Sequence, residues 1–164
     1  MVTKLYQING RELVPIGRTR LETEDQLQEW IARDPRLIGM DVLVLGREVF
    51  TDFDGRIDIL GLDRDGNLVI IECKRDLTPR DVVAQILDYA SWVASLNTRD
   101  VHNIAQQKIG KPLGNAFQER FDTTLPETLN SSHSLVIVAS EFDPSSKRIV
   151  EYLSESHGVA INTV

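Results

Sequence analysis

The chain has 164 residues, of which 41% are hydrophobic and 26% are charged, close to the averages for globular proteins. This composition excludes intrinsic disorder and collagen-like structure, and it predicts one domain over residues 1–164 with a sizeable core. No apolar run approaches the ~20 residues needed to cross a bilayer. The N terminus also lacks the basic and apolar segments of a signal peptide, so we expect a cytoplasmic protein with no membrane partner.

The net charge and the cysteine content reduce the number of possible functions. The 18 Lys and Arg residues against 25 Asp and Glu residues give a net charge of -7, which opposes nonspecific attraction to nucleic acid. Any surface that binds nucleic acid must therefore be local. Cys73 is the only cysteine, which excludes an internal disulfide and a cysteine-based zinc site. His102, His133 and His157 lack metal-ligand spacing, and we expect them at the surface.

The first predicted helix lies in TEDQLQEWIARDP, after an N-terminal stretch with little pattern. Thr23 is a suitable N-cap, Gln26 completes a capping box, and Pro35 ends the apolar stripe. A first strand is expected within DVLVLGREVF.

The clearest supersecondary signal is a β-hairpin formed by GRIDILGLD and NLVIIECKR, with RDG between them. A three-residue loop with Gly66 in the left-handed conformation places Asp58 opposite Glu72. A two-residue turn shifts the register by one residue and places Asp58 opposite Cys73. The type of turn therefore decides whether the two carboxylates face each other.

The second half of the chain predicts a long helix and then a βαβ unit. Thr78 as N-cap and Pro79 in the first turn begin a helix that runs to about Leu96. The stretch 97–132 is expected to be an insertion with one or two polar helices, around RDVHNIAQQKI and GNAFQERF. SLVIVAS, PSSKRIVEYLSES and GVAINTV then predict a strand, a helix and a parallel strand. The strand signal continues to Val164, which favours a longer native chain with a further C-terminal domain.

Charged side chains at the end of an apolar strand mark the candidate site. Glu72 and Lys74 share one face of their strand, and Cys73 lies on the other face with an expected role in packing. Charges are costly there unless they are paired. If Asp58 faces Glu72, the two carboxylates need a cation between them, and hard oxygen ligands suit Mg²⁺ or Mn²⁺. Such an ion polarises a phosphoryl oxygen and acidifies a water, while Lys74 orients the water or stabilises the developing charge. This chemistry points to phosphodiester hydrolysis.

The pattern resembles the PD-(D/E)XK nuclease superfamily, and within it the NucS-like and RecB-like branch. Members share an Asp followed by Glu-x-Lys, an acidic residue on the helix before the sheet, and a Gln-x-x-x-Tyr pair on the helix after it. The matching residues here are Asp58, Glu72, Lys74, Glu24, Gln85 and Tyr89. DPRLIG also resembles the family's NP-x-LI segment, whereas Ile57 replaces the proline of the signature.

The resemblance implies a restriction-endonuclease-like mixed β-sheet with an αβββαβ core flanked by helices. It also implies a divalent-metal-dependent DNA endonuclease that leaves a 3′-hydroxyl and a 5′-phosphate. Asp58, Glu72 and the backbone carbonyl of Cys73 would bind Mg²⁺ or Mn²⁺, with Glu24 assisting. Gln85 would orient Lys74 or the substrate. The expected partner is a nucleic acid, DNA by resemblance, and the chain could form a homodimer.

Two other functions stay open at the level of sequence. The acidic net charge favours an inactive nuclease-like fold that binds nucleic acid or protein within a larger repair or defence protein. A carbohydrate-active enzyme could use Asp58 and Glu72 as acid and nucleophile, but this leaves Lys74 without a role. Four basic residues are candidates for phosphate contacts, or else simply solvated charges: Arg56, Arg75, Arg80 and Lys111.

Overall fold

The computed structural model describes residues 4–17 and 19–164. The strands are β1 (Tyr6–Asn9), β2 (Glu12–Pro15), β3 (Leu43–Phe50), β4 (Arg56–Leu62), β5 (Leu68–Leu77), β6 (His133–Glu141) and β7 (Ile161–Thr163). The helices are α1 (Glu24–Arg33), α2 (Asp81–Ser95), α3 (Thr98–Ile109), α4 (Leu113–Phe121) and α5 (Pro144–Glu151). A 3₁₀ turn follows α1 and a π-helical turn follows α5. Within the described part of the chain, every helix is too short or too polar to cross a bilayer.

The main sheet has five strands in the order β3-β4-β5-β6-β7. The first three strands are antiparallel, and β5, β6 and β7 run parallel to one another. The predicted αβββαβ order of the core and the parallel βαβ unit are confirmed. β5 is the central strand, which explains its nearly continuous apolar sequence.

The turn between β4 and β5 is the three-residue form. Gly66 has a φ of 81°, and the Asp63 N–H donates to the Asn67 carbonyl at 2.9 Å. Ile59 therefore lies opposite Ile71, and Leu62 lies opposite Leu68. The same register, continued by one residue, sets Asp58 against Glu72.

Apolar side chains cover both faces of the sheet. The larger cluster includes Leu60, Ile70, Ile86 and Phe117 and is covered by α2 to α5. The smaller cluster lies under α1 and contains Ile31, Val69, Ile71 and Cys73. The two sides of β5 thus pack into separate layers, as the alternation of side chains in a strand requires.

The predicted N-cap of α1 is confirmed, because the Thr23 hydroxyl accepts the Gln26 N–H at 3.2 Å. The Gln26 side chain forms no return bond to the Thr23 N–H among the described residues, so the predicted capping box is only half formed. The predicted start of α2 is wrong by two residues, since this helix begins at Asp81 rather than at Pro79. Thr78 is buried, and its hydroxyl accepts the N–H of Asp143. This tie to the loop before α5 holds Thr78 outside the helix.

The stretch 97–132 contains the two predicted helices, but it is not a polar appendage. Val101, Leu113, Phe117 and Phe121 are buried in the larger core cluster. The N-terminal stretch, where we predicted no element, forms the hairpin of β1 and β2, whose residues are all exposed.

Substitution of Gly66 tests whether packing constrains the turn between β4 and β5. A Cβ at this position would lie 2.9 Å from Leu129 Cδ2 and 3.2 Å from Pro126 Cγ. Gly110 has a φ of 73° but open space around its Cα. Gly110→Ala should therefore cost only the left-handed conformation, about 1 kcal/mol. Gly66→Ala should lower the free energy of unfolding by about 1 kcal/mol more through overpacking.

Urea denaturation of the two variants measures the difference. Equal losses would show that packing against Leu129 does not constrain this turn.

Candidate active site

The site begins where the ladder between β4 and β5 ends. The paired residues stop at Ile59 and Ile71. Beyond this pair, the backbone N–H of Cys73 donates to Oδ2 of the Asp58 side chain at 2.8 Å. In a continuing antiparallel ladder this N–H would bond to a backbone carbonyl of the partner strand. The Asp58 carboxylate takes that place, so its position is fixed by the main chain of β5.

Glu72 and Lys74 lie on the same face of β5, as predicted, and form an ion pair with 2.8 Å between Lys74 Nζ and Glu72 Oε1. The Glu72 side chain is 1% exposed and the Lys74 side chain is 18% exposed. The second oxygen, Glu72 Oε2, is buried and has no hydrogen-bond partner among the described residues. The ammonium therefore satisfies only half of the buried carboxylate.

Burial controls the protonation of both carboxylates. It raises the pKa of Glu72 to about 7, and the nearby charge of Asp58 adds to the rise while Lys74 opposes it. Burial also raises the pKa of Asp58, against the hydrogen bond from Cys73 and the positive charge of Lys74. Two such groups bind a proton or a cation more readily than exposed carboxylates do.

Lys74 remains charged in this environment. Its burial disfavours the charged form, but the hydrogen bond to Glu72 and the negative charges of Glu72, Asp58 and Glu24 outweigh that cost and raise the pKa of Lys74. The thiol of Cys73 behaves differently, because burial in the smaller core cluster raises its pKa and keeps it neutral.

Glu24 reaches the site from the first turn of α1. Its carboxylate accepts the backbone N–H of Arg75 at 3.1 Å, and its charge contributes to the raised pKa values of Asp58 and Glu72. No group of three or more His, Cys, Asp or Glu side chains placed to hold a metal ion occurs in residues 4–17 and 19–164. The structure thus brings Glu24 near the two carboxylates, and its assisting role stays a prediction.

Gln85 is half-buried on α2, and its amide donates to the Tyr89 hydroxyl at 3.0 Å. The Tyr89 ring packs beside Gly55, at the start of the segment that leads into β4. The structure therefore connects Gln85 to the turn before Asp58 through Tyr89. Its predicted role in orienting Lys74 or the substrate stays a prediction.

The four basic residues predicted to contact phosphate all lie next to an acidic side chain. The pairs are Arg56–Glu48 at 3.3 Å, Arg75–Asp76 at 3.0 Å, Arg80–Asp143 at 3.9 Å, and Lys111–Glu119. Arg75 also donates to the Glu22 carbonyl. Exposed ion pairs of this kind are weak, so a phosphate can compete for the basic member.

The turn between β3 and β4 borders the site and was not singled out from the sequence. Thr51 accepts the N–H of Gly55 at 3.0 Å, and Asp52 accepts the indole N–H of Trp92 at 3.0 Å. Two aromatic side chains project from this part of the hairpin, with Phe50 at 69% and Phe53 at 75% exposure. In the sequence, the adjacent Phe, Thr, Asp and Phe residues at positions 50–53 were the signal that could have predicted this turn.

The sequence of this chain also matches a known protein family. The endonuclease NucS C-terminal domain family matches residues 23–107, a segment that includes α1, the central hairpin and α2. This chain belongs to that family.

Two curated relatives are both endonuclease NucS. The protein from Aeropyrum pernix is 38% identical over 68 residues, which are 41% of this chain and 26% of that protein. The protein from Sulfolobus acidocaldarius is 29% identical over 94 residues, 54% of this chain and 35% of that protein. The match to this NucS domain thus spans about a third or less of each relative.

Solved structures show the same fold at low sequence identity. A repair endonuclease from Pyrococcus abyssi matches with a TM-score of 0.52 and 20% identity, covering 93% of this chain and 51% of that one. An EndoMS-dsDNA2 complex matches with a TM-score of 0.52 and 21% identity, covering 96% of this chain and 48% of that one. The expected restriction-endonuclease-like fold is confirmed, over about half the length of each neighbour.

The raised pKa of Glu72 predicts a pH-dependent stability for the NucS domain. Between its ordinary pKa of 4.5 and about 7, the folded state binds more protons than the unfolded state, so the Glu72 contribution to stability is lost as pH rises through this window. Glu72→Gln cannot ionise and avoids that loss. From pH 5 to pH 8, the variant should gain stability relative to the wild type, by up to about 3 kcal/mol.

Chemical denaturation at the two pH values measures this change. Glu127 is exposed, so Glu127→Gln controls for the removal of one negative charge and should show a nearly constant difference. A flat difference for Glu72→Gln would mean that its carboxylate is not destabilised by burial.

Proposed function

We propose that this NucS domain hydrolyses DNA phosphodiester bonds in a divalent-metal-dependent reaction of the PD-(D/E)XK type. The observation that carries the proposal is the pair of buried carboxylates on β4 and β5, with Lys74 beside Glu72 and Glu72 Oε2 unpartnered within residues 4–17 and 19–164. A buried carboxylate oxygen without a partner is costly in a protein interior. A bound cation would offset that cost and the repulsion between the two acids.

The residues present fit Mg²⁺ or Mn²⁺. These ions accept one or two carboxylates and complete their coordination with other oxygens and water. Asp58 and Glu72 supply the carboxylates. The Cys73 N–H points toward Asp58, and because N–H and C=O of one strand residue point to the same edge, its carbonyl faces β4 as well. A third carboxylate is not required, which agrees with Glu24 being bonded to the Arg75 N–H.

A bound metal ion would supply Lewis acidity toward a phosphoryl oxygen and lower the pKa of a water. The protein's part is positional and electrostatic. Asp58 is held by the main chain of β5, and Glu72 is held by burial and by Lys74. The raised pKa of Lys74 favours a charged group that orients the nucleophile or stabilises the developing phosphorane charge, rather than a base. Gln85 supports this geometry through Tyr89 and the turn before β4.

DNA is the proposed substrate. The relatives are endonucleases, and one structural neighbour is an EndoMS complex with double-stranded DNA. Their chains are about two to four times as long as the matched segment, so activity of this domain by itself is part of the proposal.

Substitution at the site tests the reaction. Lys74→Met keeps the length of the side chain and removes its charge, so cleavage with Mg²⁺ or Mn²⁺ should fall by about 10²-fold or more. Asp58→Asn should be comparably severe and should also weaken metal binding, because a neutral amide is a poorer ligand. Cys73→Ala is the control: it should retain activity and lose about 1 to 2 kcal/mol of stability.

Cleavage assays on duplex, single-stranded and branched DNA, with metal titrations of each variant, measure these effects. Absence of metal-dependent cleavage by the wild type on every substrate would contradict the proposal and favour a binding module. Loss of activity in Cys73→Ala but not in Lys74→Met would contradict the assignment of residues.

DNA affinity should be modest and sensitive to salt. The chain carries a net charge of -7, and its basic side chains near the site are paired with acids, so binding requires exchange of these partners for phosphates. Fluorescence anisotropy with Ca²⁺ in place of Mg²⁺ should show affinity that falls steeply as salt rises. Salt-independent binding would argue against phosphate contacts.

A further inference from the structure

Strand β5 contains a bulge just beyond Lys74. The register of its pairs with β6 shifts between Lys74 and Leu77. Within this interval, Arg75 and Asp76 of β5 lie opposite a single residue of β6, Ser140. A bulge bends its strand and changes the direction of the side chains, and bulges are frequent beside active sites. The end of β5 therefore does not follow the regular alternation of a strand.

The main chain of the bulge is held by side chains from two other elements. The N–H of Arg75 donates to the Glu24 carboxylate of α1 at 3.1 Å, and its carbonyl accepts the Ser140 hydroxyl of β6 at 2.6 Å. Backbone groups that leave a ladder need such partners, because an unpaired one is costly. The bulge is thus fixed in one conformation before any ligand binds.

The bulge directs Arg75 and Asp76 into a cluster with Arg20, which we call the clamp. Arg20 donates from Nε and Nη2 to Asp76 Oδ1 at 3.0 and 2.6 Å. Arg75 donates from the same two atoms to Asp76 Oδ2 at 3.1 and 3.0 Å. The guanidinium of Arg20, followed by that of Arg75, holds the pKa of Asp76 below its usual range. The clamp therefore has two positive charges and one negative charge.

The clamp borders a cleft of about 770 Å³. The described residues that line this cleft are Thr19, Arg20, Asp76, Leu77, Ser140 and Glu141. The bonds to Asp76 use two of the five N–H donors of the Arg20 guanidinium, and the Arg20 side chain is 74% exposed. Donors of Arg20 are therefore open to a ligand in the cleft. Leu77 is 54% exposed and adds an apolar contact surface.

Glu141 restricts the kind of ligand that fits. It lines the same cleft and is exposed, so its negative charge offsets the excess positive charge of the clamp. An anion in the cleft must therefore be recognised by direct hydrogen bonds to a guanidinium. Arginine binds phosphate in this way, with two parallel N–H donors. A phosphate attached to a sugar would also use the apolar surface of Leu77.

We propose that the clamp binds the DNA phosphate next to the scissile one, with its deoxyribose against Leu77. Lys74 and Asp76 are two residues apart, about 7 Å or less along a strand, so the clamp lies close enough to the site for adjacent phosphates of one DNA strand. The incoming phosphate competes with Asp76 for Arg20. This subsite rests on the proposed function, and holding the neighbouring phosphate would orient the scissile one.

DNA binding in Ca²⁺ tests the clamp without cleavage. Arg20→Met should weaken binding about fivefold to tenfold and reduce the slope of log affinity against log salt by about 1. Asp76→Asn removes the competing carboxylate and should strengthen binding. The probe is a fluorescein-labelled DNA, in whichever of the duplex, single-stranded and branched forms the wild type binds best.

The ion pair of Arg33 and Glu29 on α1 provides matched controls. Arg33 is 74% exposed, as Arg20 is, and Glu29 is 49% exposed against 43% for Asp76. In this pair one acid neutralises one base. Arg33→Met and Glu29→Gln should therefore bind DNA within about twofold of the wild type. Circular dichroism should show native folds for all four variants.

Neutral methylphosphonates at single positions of the DNA locate the contact. At the phosphate bound by the clamp, the substitution should weaken binding by the wild type but have no further effect on Arg20→Met. At every other position the two losses should multiply, because they are independent. Arg33→Met should show multiplied losses throughout. The position that does not multiply should be adjacent to the cleaved bond.

The outcomes separate the clamp from the proposed reaction. Equal effects of Arg20→Met and Arg33→Met, weaker binding by Asp76→Asn, or multiplied losses at every position would overturn the clamp even if the wild type cleaves DNA. A coupled position more than one nucleotide from the cut would do the same. A wild type that binds through Arg20 but cleaves no DNA would contradict only the proposed reaction. A wild type that binds no DNA would contradict both.

Discussion

Glu72 is buried at the end of an otherwise apolar strand, and the arrangement of its neighbours follows from the cost of burying that charge. Lys74 neutralises one oxygen, while the second oxygen has no partner among the described residues. Asp58 adds a second negative charge instead of relieving the first. A fold selected only for stability would not keep this pair, whereas the cation site proposed above would use it.

The sheet fixes the positions of the side chains in this site. The ladder between β4 and β5 fixes which residues face each other, and it ends where Asp58 replaces a backbone acceptor for the Cys73 N–H. Helix α1 brings Glu24 to the main chain beyond Lys74, and α2 connects Gln85 through Tyr89 to the turn before β4. Each charged group is thus positioned by a packed element, so the geometry exists in the protein without a ligand.

Most of the fold could be predicted because its elements carry local signals. The capped start of α1, the hairpin of β4 and β5 and the parallel βαβ unit are indicated by residues close in sequence, although the type of turn in the hairpin was left open. The start of α2 could not be predicted, because Thr78 has a tertiary partner in the loop near Asp143. Helices α3 and α4 seemed polar in sequence, yet Phe117 and Phe121 complete the larger core, a contact between residues far apart in the chain.

The sequence by itself determined the spacing of Asp58, Glu72 and Lys74 and the face that Glu72 and Lys74 share, because alternation in a strand depends only on local geometry. Tertiary structure decided the rest. The register at Gly66 set Asp58 against Glu72, and burial raised the pKa of Glu72 to about 7. Packing also engaged Arg75 with Asp76 and Glu22, and it left the hairpin of β1 and β2 exposed. Burial and pairing depend on residues distant in sequence, which no local pattern records.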